Sequence, residues 1–210
     1  MTHVELTLLF FSSALIGGVS ALLGLGGGLF LVPLLILAVG LDPQEAAPVA
    51  LVCTIGTSAA GSVALDKARL ATPSLVVILE LGSAVGAVVG AKYLSRILPP
   101  GVVMVVFALV VSYAGWRMLN KARAMGADAK EESLEFTPVR YPLGIAGNTV
   151  AGMASGLLGI GGGPIKVPVQ TDIMGVPLKV ALANSNLMVG ITAAIGASVY
   201  YADGLIRTTY

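Results

Sequence analysis

The chain has 210 residues, 56% hydrophobic and 11% charged, with a mean hydropathy of +0.93 and a net charge of +1. Soluble domains carry about 25% charged residues, and a 21.2 kDa globule has too little interior to hide this much apolar surface. An ordinary soluble domain and a nucleic-acid binder are therefore excluded, and an integral membrane protein built from helices is expected.

Spanning a bilayer takes about 20 mostly apolar residues in a helix. The first such run is Val4–Leu23; the segment before it has no Lys or Arg, so it is expected to be retained as a span. Then come the glycines Gly24, Gly26, Gly27 and Gly28, followed by the apolar run Leu29–Val39. Its 11 residues cover about half a bilayer core, which predicts a half-helix. Gln44–Leu65 is the next span, with Thr54, Thr57 and Ser58 in it, and Asp66–Thr72 is a short basic loop. Pro73–Ala91 carries the acid Glu80 and a stripe of small residues, Gly82, Gly86 and Gly90. Such a stripe lets two membrane helices approach closely, so it predicts a bundle and a homodimer contact. Pro99–Leu119 is a further span, and Asn120–Arg140 a polar linker. The bias of Lys and Arg puts this linker and Asp66–Thr72 on the cytoplasmic side, with Lys92 and Arg96 counting against it. The slightly short run Pro142–Leu158 leads into Gly159, Gly161, Gly162 and Gly163, then a second 11-residue run, Pro164–Met174, then the span Leu178–Tyr201.

This order repeats at an offset of 135. LLGLGGG at Leu22–Gly28 matches LLGIGGG at Leu157–Gly163, and the helix-break prolines Pro33 and Pro168 follow at the same distance. Ser20 matches Ser155, Gly40 matches Gly175, Thr57 matches Thr192 and Gly61 matches Gly196. The chain divides into a first repeat, 1–119, a linker, 120–140, and a second repeat, 141–210, which lacks counterparts of Pro73–Leu119. Duplicated halves with interrupted helices are the usual build of secondary transporters, whose substrate sits where the breaks meet. Whether the halves are inverted or parallel depends on how the half-helices count as crossings.

Four glycines in a row of five cannot continue a helix without cost, about 1 kcal/mol each. Unwound backbone at membrane depth is tolerated only where protein buries it or a wet cavity lies beside it. Each cluster opens a short helix whose first N–H groups suit an anion; the alternative is a tight turn at a helix crossing. Lys166 lies three residues past Gly163 and its counterpart is Leu31. A lysine at the bilayer centre costs about 2.5–3.5 kcal/mol on insertion scales, so it reads as a substrate-binding charge or as the partner of an acid such as Asp172. Glu80 reads as a partner of Lys166 or a proton carrier, and Thr54, Ser58, Asn184, Ser185 and Asn186 as hydrogen bonders of an oxyanion or of neighbouring helices. Cys53, the single cysteine, reads as a small packed residue. With one histidine, His3, near the terminus and no nucleophile–base or metal-ligand motif, neither an enzyme nor a cofactor nor a metal is expected.

The paired motif G-x-x-S-x-L-L-G-[LI]-G-G-G…V-P, here Gly17–Gly28 with Pro33 and Gly152–Gly163 with Pro168, resembles that of the sulfite exporter TauE/SafE family. The resemblance covers nearly the whole chain. It implies a multi-pass protein of a prokaryotic inner membrane that carries a small anion such as sulfite, a sulfonate or another sulfur or organic anion. The competing expectation is a membrane scaffold or accessory subunit that binds partner helices through Gly82, Gly86 and Gly90.

Overall fold

The computed structural model describes residues 3–66, 70–125 and 136–206, and among these every regular element is helical. The order is α1 (His3–Leu22), α2 (Gly28–Leu34), α3 (Pro43–Asp66), α4 (Pro73–Val89), α5 (Ser95–Ile97), α6 (Pro100–Met125), α7 (Tyr141–Leu158), α8 (Gly163–Pro168) and α9 (Leu178–Ala202). Four segments are long and apolar enough to cross a membrane: Pro43–Val63, Pro73–Ile97, Pro100–Arg117 and Leu178–Ala202. Two expected boundaries move. The fourth helix carries on past Ala91 to Ile97 through a wide π turn at Gly90–Leu94. Helix α6 runs to Met125, into residues that polarity assigned to the linker, because the sequence there (Lys121, Ala122, Arg123, Ala124) consists of good helix formers.

Both predicted half-helices form, and both widen just after their proline. After Pro33, α2 becomes a π turn at Leu35–Val39; after Pro168, α8 becomes one at Val169–Ile173. A proline inside a helix has no N–H to give and crowds the carbonyl four residues back, and a wider turn relieves that conflict. Gly40 and Gly175 follow with φ of 76° and 71°, the left-handed conformation that ends a helix at least cost on glycine.

Contacts at the helix ends give the relative directions. Gln44 Nε2 donates to the Ser95 carbonyl (3.3 Å), and Arg96 pairs with Asp203 (2.7 Å), so the start of α3, the end of α4 and the end of α9 lie together. At the opposite end, the Thr72 N–H donates to Asn184 Oδ1 (2.7 Å), and Arg117 pairs with Asp172. Helices α3 and α9, which correspond at the 135 offset, therefore run antiparallel. The Val139 N–H donates to the Met174 carbonyl (3.2 Å), which brings the end of the second half-helix back beside the start of α7. Helices α7 and α8 thus form a hairpin that enters and leaves at one end of the bundle. Helices α1 and α2 open from the other end, where the three residues Gly40–Asp42 lead directly into α3.

The small-residue stripe is used within the chain. A Cβ on Gly86 would stand 2.1 Å from the Thr149 carbonyl oxygen and one on Gly90 2.2 Å from that of Met153. Helix α7 answers in kind: a Cβ on Gly152 would stand 2.1 Å from the Ser83 carbonyl and one on Gly156 2.3 Å from that of Ala87. All three glycines of the stripe, Gly82, Gly86 and Gly90, are buried against α7 of the same chain. The reading of Cys53 is corrected, since it is exposed on α3 rather than packed. An exposed apolar surface on membrane helices faces lipid, so nothing forces every small residue inward. Gly86→Ala should force α4 off α7 and cost about 1–3 kcal/mol by overpacking, seen as a lower unfolding temperature in detergent. Gly56→Ala, where nothing lies within 4 Å, should not lower that temperature.

Candidate functional site

The two glycine breaks meet. A Cβ on Gly28 would stand 2.2 Å from the Gly159 carbonyl oxygen, and one on Gly163 2.6 Å from that of Gly24. These four positions exchange under the 135 offset, so each break packs on its counterpart. The backbone conformations match as well: φ is 66°, 74° and 87° at Gly24, Gly26 and Gly27, and 76°, 75° and 80° at Gly159, Gly161 and Gly162. A side chain at these six positions is strained by the left-handed backbone, and at Gly28 and Gly163 by collision with the opposite break. Thr54 on α3 and Val189 on α9, also counterparts, both lie against Gly26 and Gly161 and wedge the two breaks together. The Gly27 carbonyl accepts from the Leu31 N–H (3.0 Å), and the Gly162 carbonyl from the Lys166 N–H (3.0 Å). The second break offers fewer donors than the first, because Pro164 has no N–H.

Beside the second break lies an ion pair. Lys166 is fully buried, and its Nζ donates to Glu80 Oε2 (3.2 Å), to the Met188 carbonyl (3.1 Å) and to the Thr192 hydroxyl. Thr192 in turn donates to Glu80 Oε1. The structure thus selects Glu80 among the acids weighed for Lys166; Asp172 is taken by Arg117 near the end of the bundle. Three helices contribute, α4 with Glu80, α8 with Lys166 and α9 with Thr192 and the Met188 carbonyl, so the cluster locks the fourth helix to the second hairpin. It continues as a chain of buried amides: Gln170 Nε2 donates to the Lys166 carbonyl (3.5 Å), Asn184 Nδ2 to Gln170 Oε1 (3.1 Å), and the Thr72 N–H to Asn184 Oδ1 (2.7 Å). Sequence reading missed Gln170 and Thr192 as members. The signal for Gln170 was its place four residues after Lys166, on the same face of the half-helix.

The other candidates divide. Thr54 touches both breaks, while Thr57, one turn on, donates to the Gly26 carbonyl (2.6 Å). Ser185 donates to the Gly24 carbonyl (2.8 Å) and fastens α9 to the first break. Asn186 and Ser58 join helices away from the ion pair: Asn186 Nδ2 donates to the Ala21 carbonyl (2.8 Å), and Ser58 donates to the Asn186 carbonyl. The hydroxyls of Ser20, Ser155 and Thr54 are buried and find no hydrogen-bond partner among the described residues. Ser20 and Ser155 are counterparts in the last turns of α1 and α7, directly before the breaks.

Lys166→Met should leave the Glu80 carboxylate buried without its cation and cost about 3–5 kcal/mol. Lys166→Met with Glu80→Leu should recover most of that, as read by thermal unfolding in detergent. A double variant no more stable than the single one would remove the pairing as the reason for the loss.

The family model for the sulfite exporter TauE/SafE matches residues 9–210. The chain is 28% identical over 212 residues to the probable membrane transporter protein YunE of Bacillus subtilis, covering 92% of this chain and 77% of that protein. It is 28% identical over 217 residues to a probable membrane transporter protein of Xylella fastidiosa strain 9a5c, covering 100% of this chain and 79% of the relative. No solved structure matches it significantly. With the family model spanning nearly all of its length, the chain belongs to the sulfite exporter TauE/SafE family and is a membrane transporter rather than an enzyme.

Proposed function

We propose that the chain is a secondary transporter of a small oxyanion, sulfite or a sulfonate in the first instance, in a bacterial inner membrane. The observation that carries this reading is the meeting of the two glycine breaks beside the buried Lys166–Glu80 pair. The backbone N–H groups opening α2, the hydroxyls of Ser20, Ser155 and Thr54 and the Lys166 ammonium are donors that lie on or next to one or the other glycine break. An oxyanion has acceptors only, and unpartnered buried hydroxyls suit it for that reason.

The charge arrangement supports proton coupling. With Glu80 ionised, the Lys166–Glu80 pair is neutral and offers no net attraction. A proton on Glu80 leaves the Lys166 charge uncompensated, and a monoanion then restores neutrality. Binding one proton and one monoanion together keeps the buried site neutral, which avoids the cost of an unpaired charge in the bilayer. Full burial of Lys166 means that the substrate gains access only when one hairpin moves relative to the other. Antiparallel, equivalent halves that meet at the breaks suit a rocking motion which exposes the site to each face in turn. The scaffold reading loses its main support, because α7 already occupies the stripe of Gly82, Gly86 and Gly90.

The test is uptake of labelled sulfite into proteoliposomes under an imposed pH gradient, competed by sulfonates, sulfate and carboxylates. Saturable uptake that competitors suppress and Lys166→Ala abolishes is expected; uptake indifferent to Lys166→Ala would sink the proposed binding charge. Glu80→Gln should uncouple the protein: exchange of sulfite across the membrane persists, while accumulation driven by the pH gradient is lost. Gradient-driven accumulation surviving in Glu80→Gln would remove Glu80 as the proton site.

A further inference from the structure

The buried Lys166–Glu80 pair is closed off differently toward the two ends of the bundle. Toward the end marked by Arg96 and Asp203, α9 presents Ala193, Ala197 and Tyr200, which pack with Leu51 and Ala91 in one apolar cluster. The Tyr200 hydroxyl donates to the Gly156 carbonyl there (2.8 Å). Toward the end marked by Thr72, polar side chains follow one another a helical turn apart. Lys166 and Gln170 stand on α8 and its π turn, and Asn184 and Thr192 on α9 with Met188 between them. Hydrogen bonds link Lys166, Gln170, Asn184 and Thr72 into one chain, and Gln170 Nε2 also donates to Met188 Sδ (3.8 Å). Gln170 and Asn184 are fully buried, Thr72 is half-buried, and Pro73 and Ser74 next to it are exposed. The 135 offset carries Gln170 to Leu35 and Asn184 to Val49, so the same positions of the first repeat carry apolar side chains.

We propose that Gln170 and Asn184 are the gate on the route by which the oxyanion passes between the Lys166–Glu80 pair and the Thr72 end. Polar side chains at membrane depth are costly and mark pathways. Leucine and valine at the matched positions show that the scaffold itself does not call for amides there. An amide suits a gate because its NH2 group donates to a passing oxyanion in place of water, and its carbonyl then takes up the neighbouring amide again. The Asn184–Gln170 bond (3.1 Å) closes the route, and the bond from Gln170 to the Lys166 carbonyl, at 3.5 Å, is at the limit of hydrogen bonding. Parting two neutral amides strands no charge, so the gate opens at less cost than the ion pair behind it. The inference deepens the transport reading and takes the class of ion from it.

The reporter is Met188→Cys in the Cys53→Ala chain, a sulfur in place of a sulfur beside Gln170. It is treated with sulfonatoethyl methanethiosulfonate, a membrane-impermeant reagent that is itself a sulfonate, in right-side-out and inside-out membrane vesicles. Ser74→Cys and Ile97→Cys, exposed at opposite ends, mark the two faces. Labelling of Met188→Cys is expected from the face that Ser74→Cys marks, and should slow about tenfold when Gln170→Leu or Asn184→Leu is added. Labelling undiminished by the leucines, labelling confined to the Ile97→Cys face, or none while Ser74→Cys reacts would each overturn the gate. A second measurement leaves Met188 in place. In Gln170→Leu and in Asn184→Leu the maximal rate of sulfite uptake should drop about tenfold, with KM and the unfolding temperature unchanged. Folded leucine variants that transport at the full rate, or that lose affinity instead of rate, would overturn the gate and leave the transport reading standing. No uptake by the unaltered chain would sink that reading, and the labelling would still decide whether an anion passes the amides.

Discussion

A lipid bilayer offers no water to an unpaired N–H or carbonyl, and that constraint governs the rest of this structure. Two stretches of the chain, Gly24–Gly27 and Gly159–Gly162, leave helical geometry inside the bundle. They can do so only because protein covers them. The covering is mutual: each break packs on the other, with α3 and α9 clamped around them through Thr54, Val189 and Ser185. Glycine is required for this at Gly28 and Gly163 because the carbonyl of the facing break occupies the space of any side chain.

The ion pair obeys the same constraint. A buried lysine in an apolar bundle persists only with a counter-charge and further hydrogen bonds, and Lys166 has both in Glu80, Thr192 and the Met188 carbonyl. Such a cluster is poorly suited to add stability for its own sake, since well-packed apolar residues would serve as well or better. Its asymmetry is informative: the first repeat has Leu31 where the second has Lys166. The two matched positions therefore differ in charge, and the ion pair belongs to the second glycine break.

The antiparallel arrangement of α3 and α9 ties these features together. It turns the two hairpins toward each other from opposite ends of the bundle and brings both breaks to a common level. Close helix packing does the rest. The contact of α4 with α7 uses glycine on both helices, and it carries Glu80 to the depth of Lys166.

Sequence alone determined the membrane environment, four of the spans and the helix breaks at the two glycine clusters. These depend on local quantities: hydropathy over about 20 residues, glycine's left-handed backbone and proline's missing N–H. Lys166 and Glu80 stood out for a similar reason, because a charge in an apolar run is costly wherever it ends up. Tertiary structure alone decided which acid meets the lysine, that Gln170 and Thr192 join it, and that Asn186 and Ser58 serve helix packing instead. It also decided that the Gly82–Gly90 stripe faces α7. A small-residue stripe states that some backbone comes close without naming which, and an antiparallel or parallel repeat reads identically along the chain. Both questions are settled by contacts between residues far apart in sequence, which no local pattern encodes.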